Sequence, residues 1–157
     1  ARPHRGGANL LLRAKPEKIK GTLTMQSAEK DLTSCRSFKD RWFKFSQRLR
    51  EAARTWPRPI ACMGASHPQS NYALFTGIGP CIDLLVDDDP DKIGSFVPLP
   101  QPTPVISTEQ LLNHDSVGTL LLTAFGCEDW INKVIKPLSA RGVRLVDPYL
   151  ILKPIKK

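Results

Sequence analysis

Four short and almost wholly apolar runs constrain this chain most: "PIACMGA" (59–65), "CIDLLVDD" (81–88), "VGTLLLTAF" (117–125) and "VRLVDPYLIL" (143–152). A strand open to water on one face alternates apolar with polar residues. Runs without that alternation are expected where both faces are covered, as in a parallel sheet. Helical segments separate them. One helix is expected after Pro68, ending near Gly77 or Gly79, with Tyr72, Leu74 and Phe75 available for packing. "STEQLLNH" (107–114) opens as a capping box, with Ser107 three residues ahead of Gln110. "EDWINKVIKPLSARG" (128–142) reads as a helix interrupted or kinked at Pro137 and closed by Gly142. Such alternation predicts an open, mainly parallel α/β sheet with flanking helices and right-handed crossovers. The stretch 89–106, "DPDKIGSFVPLPQPTPVI", shows neither period and reads as a Pro-rich loop.

Upstream, the strongest helical signal begins at Ala28. Leu32, Cys35, Phe38, Trp42, Phe45, Leu49, Ala52 and Trp56 recur at spacings of three and four, tracing one stripe along a long amphipathic helix. Ser27 is the expected N-cap, and Pro57 and Pro59 stop the helix. Trp42 and Phe45 are expected to pack on the sheet. Before it, "GGANLLLRAK" (6–15) suggests a strand and "KPEKIKGTLTMQS" (15–27) a polar linker. The organisation is therefore an N-terminal strand and linker (1–27) followed by one α/β domain (28–157).

The formal net charge of +8 is uneven. Residues 1–58 hold 15 Lys or Arg against 5 Asp or Glu, whereas residues 59–157 hold 8 against 10. A basic segment attracts phosphate, RNA or an acidic protein surface. The face carrying Arg41, Lys44, Arg48 and Arg50 is the candidate for such a partner. No run of eighteen apolar residues occurs, so no membrane partner is expected. The start, "ARPHRGGANLLLRA", lacks Met and reads like the middle of a longer chain. Cys35, Cys62, Cys81 and Cys127 are scattered without ligand spacing, so no metal site is expected. Cys62 and Cys81 sit in apolar runs as small hydrophobes. That usage points to the cytoplasm or another reducing intracellular compartment.

The loops after the first two strands lie where open α/β sheets bind ligands. Gly64, Ala65, Ser66, His67, Ser70 and Asn71 surround a helix start, where backbone N–H groups and the helix dipole favour an anion. Asp87 stands where a ribose hydroxyl is read. The dinucleotide fingerprint needs three glycines, however, and only Gly64 is present, with Ser66 and Gln69 at the other two positions. Pro68 also removes one donor. A pyrophosphate held as in a dehydrogenase is not expected. Asp87–Asp89 lack EF-hand spacing and read as a strand-end turn with Pro90. No catalytic residue is assigned: His4, His67 and His114 lie apart, and no Gly-x-Ser-x-Gly elbow occurs.

The order of these motifs resembles the C-terminal domain of S-adenosylmethionine-dependent nucleotide-sugar C-methyltransferases. The matching stretches are "GASHPQSNYALFTGIG", "DLLVDDDPDKIGSFVPLPQPTPVIS", "TLLLTAFGCEDWINKVI" and "ARGVRLVDPY". They include a Gly-Ala-Ser loop, a turn with Asp87, Pro90, Lys92 and Gly94, and an Ala124-Phe125-Gly126 turn where that family has Ala-Trp-Asn. "RGGANLLLRA" looks like its His-Gly-Gly-Ser strand. The resemblance covers roughly residues 5–150. It implies a Rossmann-like fold that helps enclose a nucleotide-linked sugar, with Gly64, Ala65, Ser66, His67, Ser70, Asn71, Asp87 and Lys92 facing the ligand. It implies no cofactor in this chain: S-adenosylmethionine and the transferase chemistry belong to a methyltransferase domain, N-terminal to this one or acting in trans. Pro68 and Gln69 replace the Lys and Gly usual in the family loop. The alternative expectation is a non-catalytic Rossmann-like module whose basic helix joins RNA or protein assemblies.

Overall fold

A computed structural model describes residues 25–124 and 128–148. The expected N-terminal strand, nearly all of the linker, and Phe125, Gly126 and Cys127 lie outside the described residues. So does the end of the fourth apolar run.

A long helix, α1 (Met25–Ala53), precedes alternating strands and helices. These are β1 (Ile60–Met63), α2 (His67–Thr76), β2 (Leu84–Val86), β3 (Phe96–Leu99), β4 (Gln101–Ile106), α3 (Thr108–Leu112), β5 (Thr119–Leu121), α4 (Glu128–Ala140) and β6 (Arg144–Val146). The six strands form one sheet in the order β3-β4-β2-β1-β5-β6. All neighbours are parallel except the β3–β4 pair. Without the antiparallel edge strand, the order is that of a Rossmann fold, two crossovers leaving β1 in opposite directions. The α/β Rossmann-like architecture expected from the apolar runs is therefore present.

The central strand shows why its sequence lacks alternation. All four residues of β1 are buried. Ile60 and Cys62 join Phe45, Leu49, Trp56 and Leu85 on the α1–α2 side. Ala61 and Met63 join Val86, Leu111, Leu120, Val134 and Leu138 on the α3–α4 side. Successive side chains leave a strand on opposite faces, so a strand covered twice needs apolar residues at every position.

Local signals place the helix ends. Gly77 adopts a left-handed φ of 72° beyond α2, with the Ile78 N–H returning to Ala73 O at 3.1 Å. The Ser107 capping box is formed, the Gln110 N–H donating to Ser107 Oγ at 3.1 Å and the Ser107 N–H to Gln110 Oε1 at 2.8 Å. Three expectations need correction. First, α1 starts at Met25, ahead of Ser27, so Ser27 is inside the helix and not its cap. Second, α4 runs through Pro137 without interruption, and Gly142 follows it at φ 77°. Third, the Pro-rich stretch is a hairpin.

That hairpin has a specific cause. The Val105 N–H donates to Ser95 O at 3.0 Å, so Thr103 and Val105 direct their N–H groups toward β3. Pro102 and Pro104 alternate with them and place their missing donors on the β2 side. There β2 pairs only with Val105 and Ile106, so the prolines interrupt no ladder.

Candidate functional site

The carboxyl ends of β1, β2 and β5 meet at a cleft of about 470 Å3 lined by Gly64, Ser66 and Gln69, the Asp87–Asp89 turn, and Ala124, Asp129, Trp130 and Lys133. A smaller cleft of about 290 Å3 lies on the other side of the same loop, against Ala65, Ser66, His67, Ser70, Leu74, Val97 and Pro98.

Asp87 holds the edge together. Its Oδ2 accepts from the Ala65 N–H at 2.9 Å and from Lys92 Nζ at 3.0 Å, and its Oδ1 from the Asp89 N–H at 3.1 Å. Lys92 also pairs with Asp89 at 3.3 Å. Burial alone would raise the Asp87 pKa. The Ala65 N–H, the Lys92 ammonium and the Asp89 N–H outweigh it and hold the carboxyl below its ordinary value. Lys92 is in turn held above its ordinary value, chiefly by Asp87, with burial opposing and Asp89 adding. The residue expected to read a hydroxyl is thus first a brace between two loops. A carboxylate has about four acceptor positions, so a ligand hydroxyl can still join it.

Gln69 fills the place where a nucleotide loop leaves room for phosphate. Gly64 has φ 95°, and a Cβ there would lie 2.7 Å from Gln69 Cγ. The glycine therefore serves both a left-handed turn and the close approach of this side chain. Gln69 Nε2 donates to Thr123 O at 3.3 Å, while Ser66 Oγ donates to Gln69 Oε1. Ser66 consequently makes no side-chain cap for α2. The Gln69 and Ser70 N–H groups bond Ser66 O at 3.1 and 3.0 Å, and Pro68 has none to offer. An anion at this helix start would find few free donors.

Beneath the loop, Thr123 Oγ1 donates to Met63 O at 2.6 Å and receives the Cys62 thiol at 3.0 Å. Burial pushes the Cys62 pKa up to about 11, and the Thr123 contact opposes it. Cys62 is a packing residue and not a nucleophile. Cys81, expected to be buried, is half-buried. Across the cleft, Trp130 Nε1 donates to Thr108 Oγ1 at 2.5 Å, and Thr108 Oγ1 donates to Asp88 Oδ2 at 2.8 Å. The Thr108 N–H adds a 2.7 Å bond to Asp88 Oδ1. This chain of bonds fixes the indole and a carboxylate through one shared hydroxyl.

The expected ligand residues divide between the two clefts. Gly64, Ser66 and Asp87 line the larger, and Ala65, Ser66, His67 and Ser70 the smaller. Asn71 is exposed and lines neither, and Lys92 is engaged with Asp87 and Asp89. Gln69, Asp88, Asp129, Trp130 and Lys133 line the site without having been singled out as ligand-facing. For Gln69 a signal existed in its place at the third glycine position of the fingerprint. The α4 residues gave none, because their position depends on a crossover.

On the basic face, Arg41, Lys44 and Arg48 are exposed. Arg50 is not free: its Nη1 donates to Thr76 O at 2.9 Å, closing the carboxyl end of α2. Among the described residues no group of three or more His, Cys, Asp or Glu is placed to hold a metal ion, and no helix is long and apolar enough to cross a membrane.

Fold and cleft together define a Rossmann-like α/β domain with an acidic, internally braced cleft at the carboxyl ends of its central strands. Comparison with known family models, curated proteins and solved structures gives no match to the chain.

Proposed function

We propose that this edge is half of a pocket for a nucleotide-linked sugar, in a domain of the kind that completes nucleotide-sugar C-methyltransferases. The observation that supports it most is the joining of two distant motifs at one cleft. The Gly64–Gln69 loop and the Asp87–Gly94 turn are tied by the bond from the Ala65 N–H to Asp87, 2.9 Å long. Both are the stretches on which the resemblance rests.

The chemistry of the lining favours the sugar over the diphosphate. Asp87, Asp88, Asp89 and Asp129 outnumber the one lining cation, Lys133. Carboxylates accept well from hydroxyl groups and repel phosphate. Trp130, held by Thr108, supplies an apolar face for a sugar ring. The diphosphate would leave the cleft toward Lys133 or toward the partner domain.

In this reading S-adenosylmethionine supplies the methyl group from the other domain. The residues present do not suit that cofactor here, because Gln69 packs over Gly64 where a nucleotide loop stays open. This chain orients the acceptor and excludes water from one side.

Titration calorimetry and thermal-shift measurements with dTDP and a dTDP-linked hexose at millimolar concentration test the proposal. Binding heat and a rise in melting temperature are expected with the sugar nucleotide, larger than with dTDP alone. No heat and no shift with either would refute it.

A further inference from the structure

The stripe along α1 is only half used. Phe45, Leu49 and Trp56 are buried against the sheet, and Trp42 is partly covered. On that stripe Leu32 and Phe38 stay exposed at 53% and 61%, and off it Phe43 is exposed at 63%. Phe75, on the adjoining helix α2, is exposed at 71%. Of the two residues expected to pack on the sheet, Phe45 is buried in the core and Trp42 only partly so. Phe38, Trp42 and Phe75 enclose a groove of about 300 Å3. Phe38 and Trp42 stack on each other, centroids 6.3 Å apart and planes 20° from parallel. Each aromatic ring brings 150–250 Å2 of surface that gains from leaving water, roughly 25 cal/mol per Å2. Contiguous exposure of this kind marks an interaction surface.

Charge selects the occupant. Over residues 36–49, Arg36, Lys39, Arg41, Lys44 and Arg48 face a single acidic residue, Asp40. A second copy would set like charges along both sides of the apolar seam. A partner with acidic flanks is attracted instead. RNA would meet the same charge, but two of the three groove rings already stack on each other, and the lining offers no polar group beyond the Trp42 indole N–H to read a base edge. A helix laying its apolar side into a groove between two helices satisfies both features.

We propose that the Phe38–Trp42–Phe75 groove docks an amphipathic helix with acidic flanks, contributed by a partner protein segment. The groove shares no lining residue with either cleft at the sheet edge. The proposal thus stands apart from sugar-nucleotide binding, and failure of one leaves the other intact.

The test uses the full chain and a fluorescently labelled, Leu-faced helical peptide of about 20 residues with Glu flanks. A matched peptide with Lys flanks and a single-stranded RNA serve as comparisons. The Glu-flanked peptide is expected to bind and to weaken as salt rises, while the Lys-flanked one does not. Phe38→Ser and Phe75→Ser are expected to weaken it about tenfold or more with unchanged circular dichroism. If either variant misfolds, the exposed pair Lys39→Glu and Arg41→Glu gives the same reading by charge. Several results would overturn the inference: no binding of the Glu-flanked peptide, equal binding of both peptides, or binding indifferent to all four substitutions. RNA binding that survives Phe38→Ser, or self-association that Phe38→Ser abolishes, would overturn it as well.

Discussion

The carboxyl edge of the sheet and the groove between α1 and α2 are built on opposite principles. At the edge, polar groups partner one another: Asp87 with Ala65, Asp89 and Lys92, Gln69 with Thr123, and Thr108 with Trp130 and Asp88. In the groove, among the described residues, nothing covers the outer side of the large apolar rings. The first arrangement keeps a site's shape before a ligand arrives, so less ordering is left for binding to offset. The second leaves stabilising burial unused until another surface covers it. Substitutions should therefore cost folding stability at the edge and cost almost none at the groove.

The largest contrast is expected along α1 itself. Leu49 is fully buried, and Leu49→Ala should lower unfolding free energy by about 2–5 kcal/mol. Phe38→Ala, from the same stripe, should change it by no more than about 0.5 kcal/mol. Chemical denaturation of the two variants reads both. A large loss at Phe38 would mean the groove is already covered.

Next in size comes Asp87→Ala, which leaves the Ala65 N–H and Lys92 without their acceptor. Roughly 1–3 kcal/mol should be lost at neutral pH. The folded carboxyl lies below its ordinary pKa. Its contribution is therefore complete above the ordinary carboxylate range and disappears as pH falls through the folded value. Wild-type and variant stability curves should converge on acidification. Parallel curves would show that Asp87 is not the brace.

A smaller effect tests the turn. Gly64→Ala forces a side chain to φ 95° and against Gln69 Cγ. The cost should be about 1 kcal/mol or more. Adding Gln69→Ala should recover the part due to the clash and leave the backbone strain. No recovery would place the whole cost in the backbone.

The sequence made some of this legible, and physical reasons separate that part from the rest. Strand burial on both faces leaves a local imprint, so β1 and β5 could be read from unbroken apolar runs. Gly77 and the Ser107 box are local too. The β3–β4 hairpin was hidden because its prolines are tolerated only where β2 stops, a fact of neighbouring strands. Periodicity located the apolar face of α1 but not how far the sheet extends beneath it, so the exposure of Leu32 and Phe38 left no sign in the sequence. Motif order brought Gly64, Ser66 and Asp87 to one edge. Trp130, Asp129 and Lys133 arrive there only through the crossover of α4.

The claim at the centre of this account is that a nucleotide-linked sugar sits at the braced edge. Amide chemical-shift mapping of the labelled chain, titrated with a dTDP-linked hexose, tests it directly. The account predicts saturable shifts at Gly64, Ser66, Gln69 and Asp88, with the α1 amides from Glu29 to Lys44 unmoved. A titration that leaves the Gly64–Gln69 loop unshifted, or that moves only α1, would contradict it.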